Sequence, residues 1–545
     1  VDHYFYFKHT KVLNEIAMKI TNLCKLTGTG LLSLSLLTPM LFAQATPLRP
    51  EITPAVKNDV SPPLRDLISK PDSGTQREIP LRSIPLPSSS STDAPDQAVQ
   101  SSASRPLAGT IPGLNFAGIG KGDYGYSVTS APPDTNGAVG DTQYVQIVNT
   151  DFAVFNKTTG AIQLGPKKIN TVWSGFGGGC QTNNDGDPTV LYDKVAKRWI
   201  ISQFSVSTTP YLQCVAVSTT SDATGTYNRY AFSYGNVAFP DYPKMGVWPD
   251  AYYITFNIFN NGTTYAGAKA CAYDRAKMLA GQAATQQCFD LGTSYGSLLP
   301  ADLDGNTPPP SGSPNYLVNF GTNKLNLWKF KVDWVNTANT ALTGPTSLPV
   351  AAFTAACNGG TCIPQSGTTQ KLDSLADRLM YRLAYRNRSG TESLMVTHSV
   401  KVGTKRTAPS GIRWYELRIA GGTPSVFQQS TFAPDSTYRW MGSIAMDKLG
   451  NMAVGYSASS SAIHPAIRYT GRLVSDPLNT MQAENSIIEG TGSQTSNLSR
   501  WGDYSAMSVD PVDDCTFWYT NEYQKANGSF NWSTRIASFK FPSCN

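Results

Sequence analysis

Pro188-Thr-Val-Leu-Tyr-Asp193, Arg198-Trp-Ile-Ile-Ser-Gln-Phe204, Gln213-Cys-Val-Ala-Val-Ser218 and the run from Tyr227 to Ser233 follow one another with only short polar turns between them. Short runs rich in β-branched and aromatic residues, punctuated by Asp, Gly, Asn and Pro, are the signature of strands. Four in succession are the content of one blade of a β-propeller. The opening recurs. Gly442-Ser-Ile-Ala-Met-Asp447 turns into Asn451-Met-Ala-Val-Gly-Tyr-Ser457, and Tyr504-Ser-Ala-Met-Ser-Val-Asp510 turns into Cys515-Thr-Phe-Trp-Tyr519.

The polar turn after the first strand serves as a ruler. It falls near Asp141, Asp193, Asp250, Asp304, Asn387, Asp447 and Asp510, at intervals of 52 to 63 residues with one of 83. The long interval holds Thr340 to Lys371, read as an insertion at about 340–371 carrying Cys357 and Cys362. The spacing predicts an all-β propeller over 116–545 with seven four-stranded antiparallel blades, six being the alternative. Helical periodicity is confined to a fragment from Asp274 to Leu279.

Upstream, Met18, Lys19 and Lys25 precede an apolar stretch from Leu31 to Phe42 and then Ala43-Gln44-Ala45. That order predicts an export signal within residues 1–45, cleaved after Ala45, with the start at Met18 and with His3 and His9 outside the functional chain. The stretch falls short of the roughly 20 apolar residues that span a bilayer, and no transmembrane segment is expected after cleavage. Residues 46–115 are rich in Pro, Ser and Thr and are expected to form a disordered linker. Removing Cys24 with the signal leaves eight cysteines. An even number in an oxidising compartment predicts disulfides, between near neighbours: Cys180 with Cys214, Cys271 with Cys288, Cys357 with Cys362, and Cys515 with Cys544. A secreted, periplasmic or cell-envelope location follows. The net charge is +6 over the whole chain and is nowhere clustered, which argues against nucleic acid as a partner.

In a propeller the first strand of each blade runs along the channel from one rim to the other and the second returns, so residues before strand one and after strand two share a face. Those positions collect Asp185, Asp187, Asp241, Lys244, Asp377, Arg378, Arg439, Arg500 and Asp503, with Asn149, Asp151, Gln203, Asn257, Asn319, His398 and Glu522. Arg378, Arg439 and Arg500 are suited to bidentate capture of an anion; together with Lys244, Asp187, Asp241, Gln203 and Asn257 they form the expected ligand-binding set. Equally, Arg and Asp at equivalent positions pair with one another and tie blades together. Glu522, Asp503 and Tyr504 are candidates for glycosidic chemistry, and His398 for a general base. Two histidines after residue 45, His398 and His464, leave no basis for a multi-histidine metal site. Asp302-Leu-Asp304-Gly-Asn306 opens like a calcium loop, but Ser313 stands where the bidentate glutamate belongs, so a turn is favoured. No other cofactor is expected.

The phrases Asp187-Pro-Thr-Val-Leu-Tyr-Asp193 through Arg198-Trp199, and Arg500-Trp-Gly-Asp-Tyr-Ser-Ala-Met-Ser-Val-Asp-Pro511, resemble exported bacterial proteins of the sialidase-like propeller group. The resemblance covers roughly residues 116–545. It implies an arginine triad, a Tyr with a Glu, and an Asp acid, which Arg378, Arg439, Arg500, Tyr504, Glu522 and Asp503 echo. The Ser-x-Asp-x-Gly-x-Thr-Trp box of that group is missing, and seven blades differ from its six. The functional expectation is binding of an extracellular anionic glycan or similar polymer at one charged face of the channel. The alternatives are a glycoside hydrolase or polysaccharide lyase, and a protein-binding scaffold.

Overall fold

The computed structural model describes residues 48–69, 74–86, 96–103, 106, 109–405 and 407–544. The expected export signal, with Cys24, His3 and His9, lies outside the described residues. The chain is nearly all β. Consecutive strands pair antiparallel in chain order: Asn136–Val139 to Ile162–Lys168, Gly186–Asp193 to Tyr227–Ser233, and Ala238–Val247 to Thr285–Gly292. The series continues with Leu299–Asp304 to Ala341–Pro349, Met380–Arg388 to Thr423–Phe432, Tyr438–Met446 to Asn485–Ile488, and Ala506–Val509 to Trp532–Lys540. First strands neighbour first strands along the chain, and Ala506–Val509 neighbours Asn136–Val139, so the series returns on itself in the manner of a propeller. Leu299–Asp304 and Met380–Arg388 even pair in parallel.

A backbone feature recurs with the same period. Asp134, Asp187, Tyr242, Ser297, Leu375, Met441 and Asp503 all adopt positive φ, between 42° and 56°. Each precedes or interrupts a first strand. Non-glycine residues in this region cost of order 1–3 kcal/mol each and persist where the surroundings over-determine them.

Closure uses the N-terminal part of the chain. Ile111–Ala117 pairs antiparallel with Trp532–Lys540 and so joins the two ends of the series. The stretch expected to be a disordered linker is, in its described parts, bound to the sheets. Glu51–Pro54 extends the sheet ending at Thr285–Gly292, Lys57–Val60 the one ending at Tyr227–Ser233, and Val99–Gln100 runs parallel to Thr423–Phe432. The segment is too polar in composition for a core of its own. It needs none, because sheet edges offer unpaired main-chain groups to which a polar strand can bond. Side chains add clamps: Arg229 is buried and holds Asp59 through two bonds of 2.7 Å.

The disulfides join Cys180 to Cys214, Cys271 to Cys288, Cys357 to Cys362 and Cys515 to Cys544, the four neighbour pairings expected. The helical fragment is Arg275–Leu279, capped by Asp274, whose carboxylate accepts from the Lys277 amide. The insertion is shorter than the spacing implied, because Ala341–Pro349 is a sheet strand; the remainder carries the Cys357–Cys362 bond and a small hairpin, Thr361–Ile363 with Leu372–Asp373. Among the described residues no helix is long and apolar enough to cross a membrane.

Candidate functional site at the channel mouth

The left-handed residues at Asp134, Asp187 and Asp503 turn three carboxylates toward one another from three different sheets, where each raises the proton affinity of a neighbour. Between them stands Lys244, fully buried, its ammonium 3.5 Å from the Tyr242 ring centroid and 3.9 Å from that of Tyr504. Such cation–π contacts are strongest where water is excluded. Arg500 bonds Asp503 at 2.5 Å and Asp373 at 3.3 Å. Arg378 holds Asp377 through bonds of 2.6 and 3.0 Å and lies over the Tyr242 ring. Glu522 is buried beside them and accepts from the Gly502 amide at 2.8 Å.

Burial dominates the proton affinities here, because it penalises whichever form is charged. It lowers Lys244 to about 8 against the pull of Asp187, Asp134 and Asp503. It raises Asp241 to about 7, assisted by Asp187, and pushes Asp134 well above the usual carboxylate range, assisted by Asp503 and Asp187. Glu522 is likewise pushed well up by burial, and Tyr504 is held in its neutral form. Among the described residues Asp134 Oδ1, Asp503 Oδ1 and Glu522 Oε1 have no hydrogen-bond partner.

A strap covers this mouth. Arg77–Glu78 pairs in parallel with Ser130–Ala131, the Ile79 carbonyl accepts from Arg500 Nε at 3.0 Å, and Arg82 reaches Asp241 at 3.2 Å. Beneath it Asp187, Asp241, Arg500 and Asp503 are each less than a tenth exposed.

Eight of the residues expected from sequence thus meet: Asp187, Asp241, Lys244, Arg378, Arg500, Asp503, Tyr504 and Glu522. The rest do not. Arg439 is bound through paired contacts to Asp435 and Glu484, so the three arginines do not converge on one anion. In the twin dipeptides Arg439-Trp440 and Arg500-Trp501 the indoles pack together, 5.8 Å between centroids, while each arginine takes its own acids. His398 is sealed among Phe320, Phe353 and Tyr415, bonds the Tyr415 hydroxyl at 2.9 Å, and is driven toward its neutral form by burial and by Arg413; it touches none of the mouth carboxylates. Gln203 donates to the Asn183 carbonyl, and Asn257 bonds both the amide and the hydroxyl of Ser297, so both hold turns. Of the calcium candidates, Asp302 and Asp304 are bound by Arg382, Asp304 also by Lys194, and Asn306 points to the Pro511 carbonyl. Those cations already satisfy the carboxylates, and no three-ligand metal cluster occurs among the described residues.

Sequence reasoning missed Asp134, Tyr242 and Arg82. Pro133-Asp134 stands where Asp187 stands one blade later, so the ruler applied to the first blade finds Asp134. Nothing local marks Arg82.

Next to the strap a cleft of about 300 Å³ opens to solvent. Its walls include Ser294, Tyr295, Asn319, Lys324, Asn326 and Asp377, with Ile84 to Leu86 of the strap along one side. Asn326 donates to Asn319, which donates to the Gly296 carbonyl, so the amides are locked in orientation.

No known protein family matches the sequence, and no curated protein does. Among solved structures the chain is similar to the NanB sialidase of Streptococcus pneumoniae (9% identity, 74% of this chain and 82% of that one, TM-score 0.36). It is similar also to an ulvan lyase of polysaccharide lyase family PL25 (12%, 75% and 92%, 0.33) and to the N-terminal domain of Nup159 (8%, 81% and 99%, 0.35). At these identities the likeness assigns no chemistry to this chain.

Proposed function

We propose that the protein is a seven-bladed propeller of four-stranded blades, exported to the cell envelope or beyond, that binds an extracellular glycan in the cleft beside the channel mouth. The seven positive-φ residues and the closed series of first strands support the blade count. Four disulfides support an oxidising compartment. The observation that carries the binding reading is the cleft itself. Its oriented amides and hydroxyl suit sugar hydroxyls, Tyr295 offers a partly exposed ring, and Lys324 can accept a uronate or sulfate group. The sealed mouth, whose acids outnumber its bases, does not suit an anion.

Binding is favoured over cleavage because Glu522 and Tyr504 are fully buried, the Tyr504 hydroxyl donates to the Pro188 carbonyl, and Asp503 is tied to Arg500. Titration with oligogalacturonate and with a neutral galactan oligosaccharide tests the reading. Lys324→Glu weakens the acidic ligand at least ten-fold and the neutral one little, as expected for one charge-assisted bond of about 1.5–3 kcal/mol. Asn319→Ala weakens both. Product formation abolished by Glu522→Gln would instead establish an enzyme, and no binding of either sugar would leave the scaffold.

A further inference from the structure

The strap is held as a bound peptide is held. Its main chain adds to a neighbouring segment, with the Arg77 amide donating to Thr129 and the Ile79 amide to Ala131. Side chains then fill separate sockets, the combination used in strand-addition recognition. Arg77 reaches the carbonyls of Asn184 and Asp185. Arg82 enters a built cation receptor: the Asp241 carboxylate, the Gly262 carbonyl at 3.0 Å, and the face of Phe239, 4.0 Å from the guanidinium carbon. Ile84 is buried in an apolar socket of Phe204, Phe239 and Phe259.

Between these anchors Arg500 holds the Ile79 carbonyl and Leu81 packs on the core, while other positions stay in solvent. Pro80 and Ser83 are exposed, as are Gln76 and Glu78, and no disulfide ties it. Pro80 and Pro85 fix extended backbone and remove amides that would otherwise need partners. The phrase Ile-Pro-Leu occurs at 79–81 and again at 84–86. Under the strap lie Asp134 Oδ1 and Asp503 Oδ1, acceptors without partners among the described residues, and carboxyls that outnumber the cations Lys244, Arg378 and Arg500. Arg82 is the strap's contribution to that imbalance.

We propose that Gln76–Leu86 is an in-cis occupant of a peptide-binding groove across the channel mouth, and that the groove accepts in its place an extended segment of another chain carrying the pattern Arg-x-Ile. The tethered strap competes at millimolar effective concentration, so the groove of the intact chain is closed to weak ligands. The groove adjoins the glycan cleft through Ile84–Leu86, but the peptide titration reads no sugar, so its failure would leave the glycan reading untouched.

The test uses a fluorescein-labelled peptide with the sequence of residues 76–86, and the same peptide with alanine in place of its second arginine. Each is titrated by fluorescence anisotropy against the full chain and against the double variant Arg82→Glu, Ile84→Asp. The double variant is expected to bind the first peptide at least ten-fold more tightly than the wild-type chain does, and the alanine peptide at least ten-fold more weakly than the first. A folded double variant that ignores the peptide, or binds both peptides alike, overturns the proposal. Should the variant fail to fold, hydrogen exchange on the wild-type chain decides: the Arg77 and Ile79 amides exchange at least ten-fold faster than those of Leu212–Ser218 if the strap opens on its own. Exchange of both sets at one rate overturns it.

Discussion

Replacing Arg382 by methionine separates a structural role for Asp302 and Asp304 from a metal-binding one. The Arg382 guanidinium bonds Asp302 at 2.8 Å and also Asp304, and its Nε donates to the Met507 carbonyl at 2.9 Å. One side chain thereby ties the first strands Leu299–Asp304, Met380–Arg388 and Ala506–Val509 across the channel. Methionine keeps the aliphatic bulk and deletes the charge. Asp302 retains the Val247 amide and Asp304 retains Lys194 at 2.6 Å, but two carboxylates then share one cation in a buried site. Removing one partner of such a cluster costs about 3–5 kcal/mol. The sign of its pH dependence follows from Asp304. Burial opposes its ionisation, yet Arg382 and Lys194 outweigh burial and hold it at about 2. A depressed carboxyl stabilises the fold above its unfolded value and ceases to as pH falls toward the folded one. The variant has lost most of that term, so its deficit is full at pH 7 and shrinks below about pH 4. Urea unfolding without reductant, followed by tryptophan fluorescence and far-UV circular dichroism at pH 7 and about pH 3, measures both. The triple variant Arg382→Met, Asp302→Asn, Asp304→Asn recovers more than half of the loss. A single-variant cost under about 1 kcal/mol at pH 7, or an equal cost at about pH 3, refutes the reasoning.

Because Asp302 and Asp304 are already neutralised, millimolar calcium leaves the thermal midpoint of the wild-type chain unmoved; a rise of several degrees would restore the calcium reading. Glu522→Gln is expected to change stability at pH 5 by less than about 1 kcal/mol, since burial keeps the native carboxyl protonated there. A raised folded value stabilises at low pH and is lost as pH rises, so the variant gains on the wild type toward pH 9 in parallel urea titrations; a growing deficit there contradicts the buried, neutral carboxyl. The double Cys515→Ser, Cys544→Ser variant, which opens a loop of 29 residues, costs about 3–4 kcal/mol, whereas Cys357→Ser with Cys362→Ser, separated by 5, costs about 2. Reversal of that order in denaturant midpoints would show that strain rather than loop length governs these bonds.

The strands, the neighbour pairing of the cysteines and much of the channel mouth were legible because each depends on short separations. Alternating hydrophobic runs and polar turns repeat within one blade, and Cys271 faces Cys288 on adjacent strands. Asp187, Lys244 and Asp503 could be put on one face because strand direction alone settles which end of a blade a residue occupies. What sequence could not say is which partner each charge takes. Arg439 and Arg500 share a dipeptide and a register, yet Arg439 is captured by Asp435 and Glu484, the latter just before an outer strand, and Arg500 by Asp373 from another sheet and its near neighbour Asp503. Ion pairing follows distances of a few ångströms between residues far apart in the chain, which local pattern does not encode.

Composition likewise marked residues 46–115 as unable to fold by themselves. Their strands exist because other sheets expose edges, and Arg82 finds Asp241, 159 residues away, only once those sheets are assembled. The amino-acid sequence alone determined the repeating all-β unit and the face on which its charges lie. Tertiary structure decided that this face is closed, by a strap whose anchors on Ser130, Arg500 and Asp241 are long-range.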